Sequence, residues 1–196
     1  MKCLYCGSEQ EMNGNPNCTV CSFYLGNGEE RGYKEQLTRL AYAFSNGDMD
    51  SDTFVQCLGN MSVMLDDMYK TTLTWDTLIP ENSVPAEVRN MVMRPVHVMR
   101  EGIDSYGEAL KAYNLYAVDP DEEYLEKASL ALRKAQNLFV NSSELTQFAF
   151  KELRSQLPAD VELPEDLKKV DEIISQPNEK NEEMYEILNK SPLKLF

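Results

Sequence analysis

The sequence predicts a mainly α-helical protein, in which a small metal-bound module of two β knuckles precedes an antiparallel helical bundle. Three observations predict this. Two C-x2-C pairs, Cys3/Cys6 and Cys18/Cys21, lie at the start of the chain. From about residue 29 to residue 158, apolar residues recur at the three- and four-residue intervals of a helix. Turn signals at Asn46-Gly47, Pro80 to Pro85 and Asp119-Pro120 cut that stretch into pieces that must fold back on one another. The expected organisation is a metal module over residues 1–28, helices over 29–158 and acidic short helices with a tail over 159–196.

The cysteines dictate a specific chemistry. A C-x2-C turn converges two thiolates on one ion, and two such turns supply a tetrahedral sulfur set with Zn–S bonds of about 2.3 Å. Four sulfurs leave no open position, so the expected Zn²⁺ is structural, held by Cys3, Cys6, Cys18 and Cys21. Gly7 suits a turn whose backbone N–H groups approach the sulfurs. Residues 7–17 are polar and turn-rich, as a loop between two knuckles should be. Apolar side chains are few here (Leu4, Tyr5, Met12, Val20, Phe23, Tyr24 and Leu25), which makes the metal part of the fold. A disulfide framework is not expected, because the chain opens Met-Lys-Cys with no leader ahead of the first ligand. No βαβ pattern surrounds either pair, as a thioredoxin-like dithiol would need.

On Cys-Leu-Tyr-Cys-Gly, the short loop and Cys-Thr-Val-Cys, the segment resembles the tetracysteine zinc ribbon found at the N-terminus of many bacterial proteins. The resemblance covers about the first seventh of the chain and implies zinc on the same four cysteines. Two features depart from the usual pattern. Ser22 stands after the second pair where glycine is usual, and neither pair carries proline after its first cysteine.

Charge limits the partners. The chain of 196 residues carries a formal net charge of −14. Nucleic-acid affinity comes mainly from Lys and Arg on phosphate, and the metal segment offers only Lys2, with Arg31 and Lys34 just beyond. This weighs against a nucleic-acid role and leaves a solvated, repulsive surface as the simpler reading of the acidity. No apolar run approaches a membrane-spanning length, so no membrane segment and a cytosolic location are expected. The N-x-[ST] matches at Asn17, Asn60 and Asn141 carry no meaning in that compartment.

A first helix is expected from about Glu29 to Ser45, with Tyr33, Leu37, Leu40, Ala41 and Phe44 on one face and Asn46-Gly47 ending it. The Asp48–Asp52 loop is no EF-hand, since Thr53 and Gly59 occupy the positions that need glycine and glutamate. Asp50 or Ser51 instead caps a second helix to about Asp76, with Phe54, Cys57, Leu58, Met61, Met64, Leu65 and Met68 inward. Cys57 reads as a small core hydrophobe, and Met61, Met64 and Met68 as gap fillers, with a partner-binding groove the lesser reading.

A third helix follows the proline-flanked connector and runs to about Ala117, kinked or interrupted at Pro95. His97, the sole histidine, lies on it, and no Glu-x-x-His pair exists to build a di-iron centre. Asp119-Pro120-Asp121-Glu122 reads as cap, first-turn proline and acids at the start of a fourth helix. Asn141-Ser-Ser143 bends or ends that helix before helical spacing resumes from Leu145 to Pro158. Short helices are expected over Pro164–Ser175 and Glu179–Asn189. The end at Phe196 reads as a docked terminus or a peptide for a partner.

Adjacent acids such as Asp66-Asp67 and Glu182-Glu183 point apart on a helix, so they do not converge as acid–base catalysis requires. The function expected from this set is non-catalytic: a cytosolic zinc-ribbon protein that binds a protein partner or acts as a scaffold. The alternatives are a zinc- or redox-responsive regulator and, behind it, a nucleic-acid-binding ribbon. Partner identity and oligomeric state are not written in the sequence.

Overall fold

A computed structural model describes residues 1–10, 15–26, 32–81 and 84–156. Four helices occupy the described residues: α1 (Tyr33–Ser45), α2 (Ser51–Leu78), α3 (Ala86–Val118) and α4 (Glu122–Gln156). The expected helices over 164–175 and 179–189, the tail to Phe196, and the first residues of the expected first helix lie outside them. No helix among the described residues is long and apolar enough to cross a membrane.

Local chemistry sets the helix ends. Gly47, at φ +76°, closes α1, with its N–H donating to the Phe44 carbonyl and that of Asp48 to the Ala43 carbonyl. This pairing satisfies two of the carbonyls that a helix end leaves unpaired. Asp50 caps α2, its carboxylate accepting the Thr53 N–H at 2.8 Å. At α4 the cap differs from the sequence expectation. Asp121, not Asp119, accepts a first-turn N–H, that of Glu123 at 2.9 Å, and Pro120 stays outside the helix. Asp119 precedes a proline and is extended, and it serves instead as the C-cap of α3.

The helices share one core. Leu37 and Leu40 of α1, Phe54, Leu58 and Met61 of α2, Ile103, Leu110 and Tyr113 of α3, and Ala128, Leu132 and Ala135 of α4 are all buried in it. Phe44 stacks on Phe54 at 4.8 Å between ring centroids and meets Tyr116 edge-on at 5.6 Å, locking the α1–α2 corner onto the end of α3. Helices α2 and α3 run antiparallel. Ser51 donates to the Ala117 carbonyl at one end, and at the other Arg100 binds the Thr72 carbonyl at 2.8 Å and Asp76 at 2.6 Å. Met61 is buried, Met64 and Met68 are half-buried against the core, and Cys57 is buried among them, as gap fillers should be.

The most extensive packing joins α3 to α4. Neither expected irregularity interrupts its helix: α3 continues through Pro95 and α4 through Asn141–Ser143. The two face each other. The fully buried Ser142 hydroxyl donates to the Pro95 carbonyl at 2.8 Å, so the serine is a cross-helix tie within a continuous helix. Two turns further along α3, Gly102 lets the helices approach. A Cβ there would lie 3.3 Å from the Phe139 ring and 3.4 Å from Leu138 Cβ. His97 is exposed on α3.

Candidate metal centre

The first ten residues and residues 15–26 form two copies of one turn, offset by fifteen positions. In the first, Gly7 N–H donates to the Cys3 carbonyl at 2.8 Å and Cys3 N–H to the Ser8 carbonyl at 2.9 Å. In the second, Ser22 N–H donates to the Cys18 carbonyl at 2.9 Å and Cys18 N–H to the Phe23 carbonyl at 2.8 Å. Single antiparallel bridges, Lys2 with Glu9 and Asn17 with Tyr24, close the two turns, and neither extends into a strand. Gly7 takes φ +74° and Ser22 φ +62°; Ser22 is the non-glycine residue with positive φ among the described residues. The serine noted in the sequence as a departure thus occupies the same left-handed position as its glycine counterpart.

These turns bring Cys3, Cys6, Cys18 and Cys21 together, with their sulfurs all within 4.8 Å of one another. Cys3 Sγ lies 3.7 Å from Cys21 Sγ and Cys6 Sγ 3.6 Å from Cys18 Sγ. Both contacts pair a sulfur of one turn with a sulfur of the other. They are far longer than a disulfide bond of about 2.05 Å, and all four cysteines are free thiols. A tetrahedral ion with bonds of about 2.3 Å sets its sulfurs about 3.8 Å apart, so both measured separations match an edge of that tetrahedron. The cluster can hold a metal ion.

Electrostatics point the same way. Burial opposes ionisation of Cys18, but the Ser8 hydroxyl and the N–H groups of Cys21 and Val20 outweigh it and bring the thiol down to about 6. Burial likewise opposes the Cys6 thiolate, and Ser8, through hydroxyl and backbone, again lowers it. Burial dominates at Cys3 and Cys21 and pushes both up. Four thiolates this close repel one another, so the set ionises fully only around a cation. The N–H groups that approach Cys3 belong to Tyr5 and Cys6, whereas that of Gly7 goes to a carbonyl. The glycine therefore shapes the turn without contacting sulfur.

A polar frame holds the cluster. Ser8 Oγ sits 3.0 Å from Cys6 Sγ and 3.4 Å from Cys18 Sγ. Buried Gln10 links the turns, donating to Ser8 Oγ at 2.7 Å and accepting the Thr19 N–H at 2.9 Å. The Tyr5 and Phe23 rings stack across them at 5.6 Å.

The cluster is seated on the helices. Leu4, inside the first turn, is fully buried in the helical core. Its N–H donates to Gln36 Oε1 of α1 at 2.8 Å, and its carbonyl accepts from Asn60 Nδ2 of α2 at 2.8 Å. Gln36 Nε2 donates in turn to the Lys2 carbonyl at 3.2 Å, and Lys2 N–H donates to the Tyr33 hydroxyl at 3.0 Å. Arg39 of α1 lies over the Tyr24 ring, 4.8 Å from its centroid, and ties down the second turn.

Comparison of the chain with known protein families, curated proteins and solved structures finds no match. Ser8, Gln10 and Gln36 were not singled out by sequence reasoning, and Asn60 was noted only as an N-x-[ST] match. Ser8 and Gln10 sit in a polar loop where nothing distinguishes them from solvated neighbours. Gln36 carried a usable signal: it lies beside Leu37 and three residues after Tyr33, a polar side chain on the inward face. Of the acids considered, Asp66 and Asp67 both face solvent and both pair with Lys70.

Proposed function

We propose that Cys3, Cys6, Cys18 and Cys21 bind one Zn²⁺ as a structural zinc ribbon with two β knuckles, seated on a helical bundle. We further propose that the protein acts in the cytosol as a non-catalytic partner-binding or scaffold protein. The observation that carries the metal reading is the sulfur cluster, whose cross-turn separations of 3.6 and 3.7 Å fit a tetrahedral S4 site. Zn²⁺ suits four thiolates because it has no redox chemistry and accepts tetrahedral sulfur without distortion. Bound there, it cross-links the two turns and neutralises part of their charge. The insertion of Leu4 into the helical core supports a structural role, since the ion then stabilises the helices as well as the turns.

Metal analysis of the purified chain tests the first part. One zinc per chain is expected, with the four thiols unreactive toward a thiol reagent until a chelator is added. Zinc-free protein with freely titrating thiols overturns it. The scaffold reading is supported by the solvent-facing placement of the acid pair on α2, which leaves it unconverged. It is tested by sizing the endogenous chain under native conditions: elution with a reproducible partner is expected, and elution at its own mass alone overturns it.

One observation favours a second reading, a redox-responsive regulator. Cys6 is exposed, so an oxidant can reach one ligand directly. Zinc release at peroxide concentrations that spare ordinary thiols supports it, and full retention at concentrations that oxidise them removes it.

A further inference from the structure

We infer that the metal centre is a latch on the helices: losing the ion withdraws Leu4 from the helical core and opens the α1–α2 face beneath it, where Cys57 lies buried. The inference rests on the metal reading above and adds what release of the ion does to the helices.

Leu4 sits between two of the clustered cysteines, Cys3 and Cys6, in a turn closed by the Gly7 N–H on the Cys3 carbonyl. Its backbone bridges two helices. The N–H donates to Gln36 of α1 and the carbonyl accepts from Asn60 of α2, both at 2.8 Å. Because the partners stand on different helices, both bonds form only while the turn keeps its shape. The side chain is fully buried with the core residues of the helices.

Little besides the cysteines keeps that shape. The buried residues of the module's own small core are Cys3, Cys18 and Leu25, with Met1, Cys21 and Phe23 partly buried against them. Half of that core is ligand. Each turn is closed by a single bridge that does not extend into a strand. A segment with so few apolar contacts opens locally once its cross-link is gone. Water that reaches Leu4 on opening also reaches the Gln36 and Asn60 amides, so neither partner is left unpaired.

The helices have holds of their own. Phe44 on Phe54, Arg100 on Thr72 and Asp76, and Ser142 on Pro95 involve no residue of the metal module. Metal loss therefore opens one face without dismantling the bundle. Cys57 reports that face. It lies one turn before Asn60 on the same side of α2 and is 1% exposed. Cys21 is the charged neighbour that acts on its thiol, which places the sulfur cluster beside it.

Labelling of the unaltered full-length chain with N-ethylmaleimide, read cysteine by cysteine by peptide mass spectrometry, tests the latch. In the zinc-loaded protein all five cysteines are expected to resist the reagent. After chelation Cys57 is expected to label at least about tenfold faster, together with the four ligands. Amide hydrogen exchange gives a second readout. The Leu4 peptide is expected to lose protection on chelation while Ile103–Tyr113 of α3 keeps it, and zinc added back before labelling is expected to restore both readings. Chelation that frees the four ligands but leaves Cys57 at its zinc-loaded rate overturns the latch and leaves the zinc site standing. Loss of protection throughout α3 and α4 also overturns it, because the whole bundle then unfolds with the metal. A purified chain without zinc, its ligand cysteines freely reactive, removes the metal reading and the latch with it.

Discussion

Replacing Gln36 by alanine tests the seating of the metal module on the helices. Gln36 is fully buried, and both ends of its amide serve the backbone of the first turn, at 2.8 Å to Leu4 N–H and 3.2 Å to the Lys2 carbonyl. After Gln36→Ala the Leu4 N–H stays buried without a partner, a penalty of about 1–3 kcal/mol. Lys2 is exposed, so its carbonyl can turn to water and forfeits about 0.5–1.5 kcal/mol. The sum is about 1.5–4.5 kcal/mol. At about 2–4 °C per kcal/mol for a chain of this size, the melting temperature falls by about 3–18 °C. Circular dichroism melts of the zinc-loaded protein measure it, with Thr38→Ala as control. Thr38 is exposed and bonds only within α1, so its loss stays within about 0.5 kcal/mol. If the two variants melt at the same temperature, the amide is not what holds the turn, and the seating argument fails.

Gly7→Ala should destabilise the zinc-loaded protein by about 1–2 kcal/mol, purely through its φ of +74°, because an added Cβ meets nothing within 4 Å. Ser22→Gly should have the opposite sign, up to about 1 kcal/mol, since serine already holds φ +62°; denaturant unfolding of both variants checks the pair. Stability should fall on the alkaline side. Burial pushes Cys57 up to about 11 and Tyr106 and Tyr113 up to about 12. The unfolded chain therefore loses these protons first, and stability that is full below about pH 9 is lost as the pH rises through 11 to 12, which denaturant midpoints across that range test. Gly102→Val should destabilise by about 1–3 kcal/mol through overpacking, because even a Cβ there sits 3.3 Å from the Phe139 ring. An unchanged unfolding midpoint for that variant would remove the close α3–α4 approach as a determinant of the fold.

Much of this architecture is local and could be read along the chain. The C-x2-C spacing brings each pair of sulfurs together through one tight turn, so the four ligand positions follow from residue identity and spacing. The inward faces of α1 and α2 follow from helical period, and Asp50 and Asn46-Gly47 mark helix ends because capping depends on residues three or four apart. Where two local signals competed, sequence reasoning slipped. Asp119 and Asp121 are both credible caps, and only the position of the Glu123 N–H selects the second. Pro95 reads as a kink or interruption and Asn141–Ser143 as a bend or an end; neither helix is interrupted there, and across the pair Pro95 supplies the carbonyl and Ser142 the hydroxyl.

Residue identity and spacing along the chain set which atoms can bind a metal, which of the described segments become helices and which faces turn inward, since each depends on neighbours within about one or two turns. Three features arise only on assembly: Leu4 enters the helical core, Gln36 and Asn60 satisfy its backbone, and α3 and α4 close on each other at Gly102. Those contacts join residues tens of positions apart, through hydrogen bonds and packing that no periodicity encodes. A buried amide finds its partner only after the helices have assembled around it.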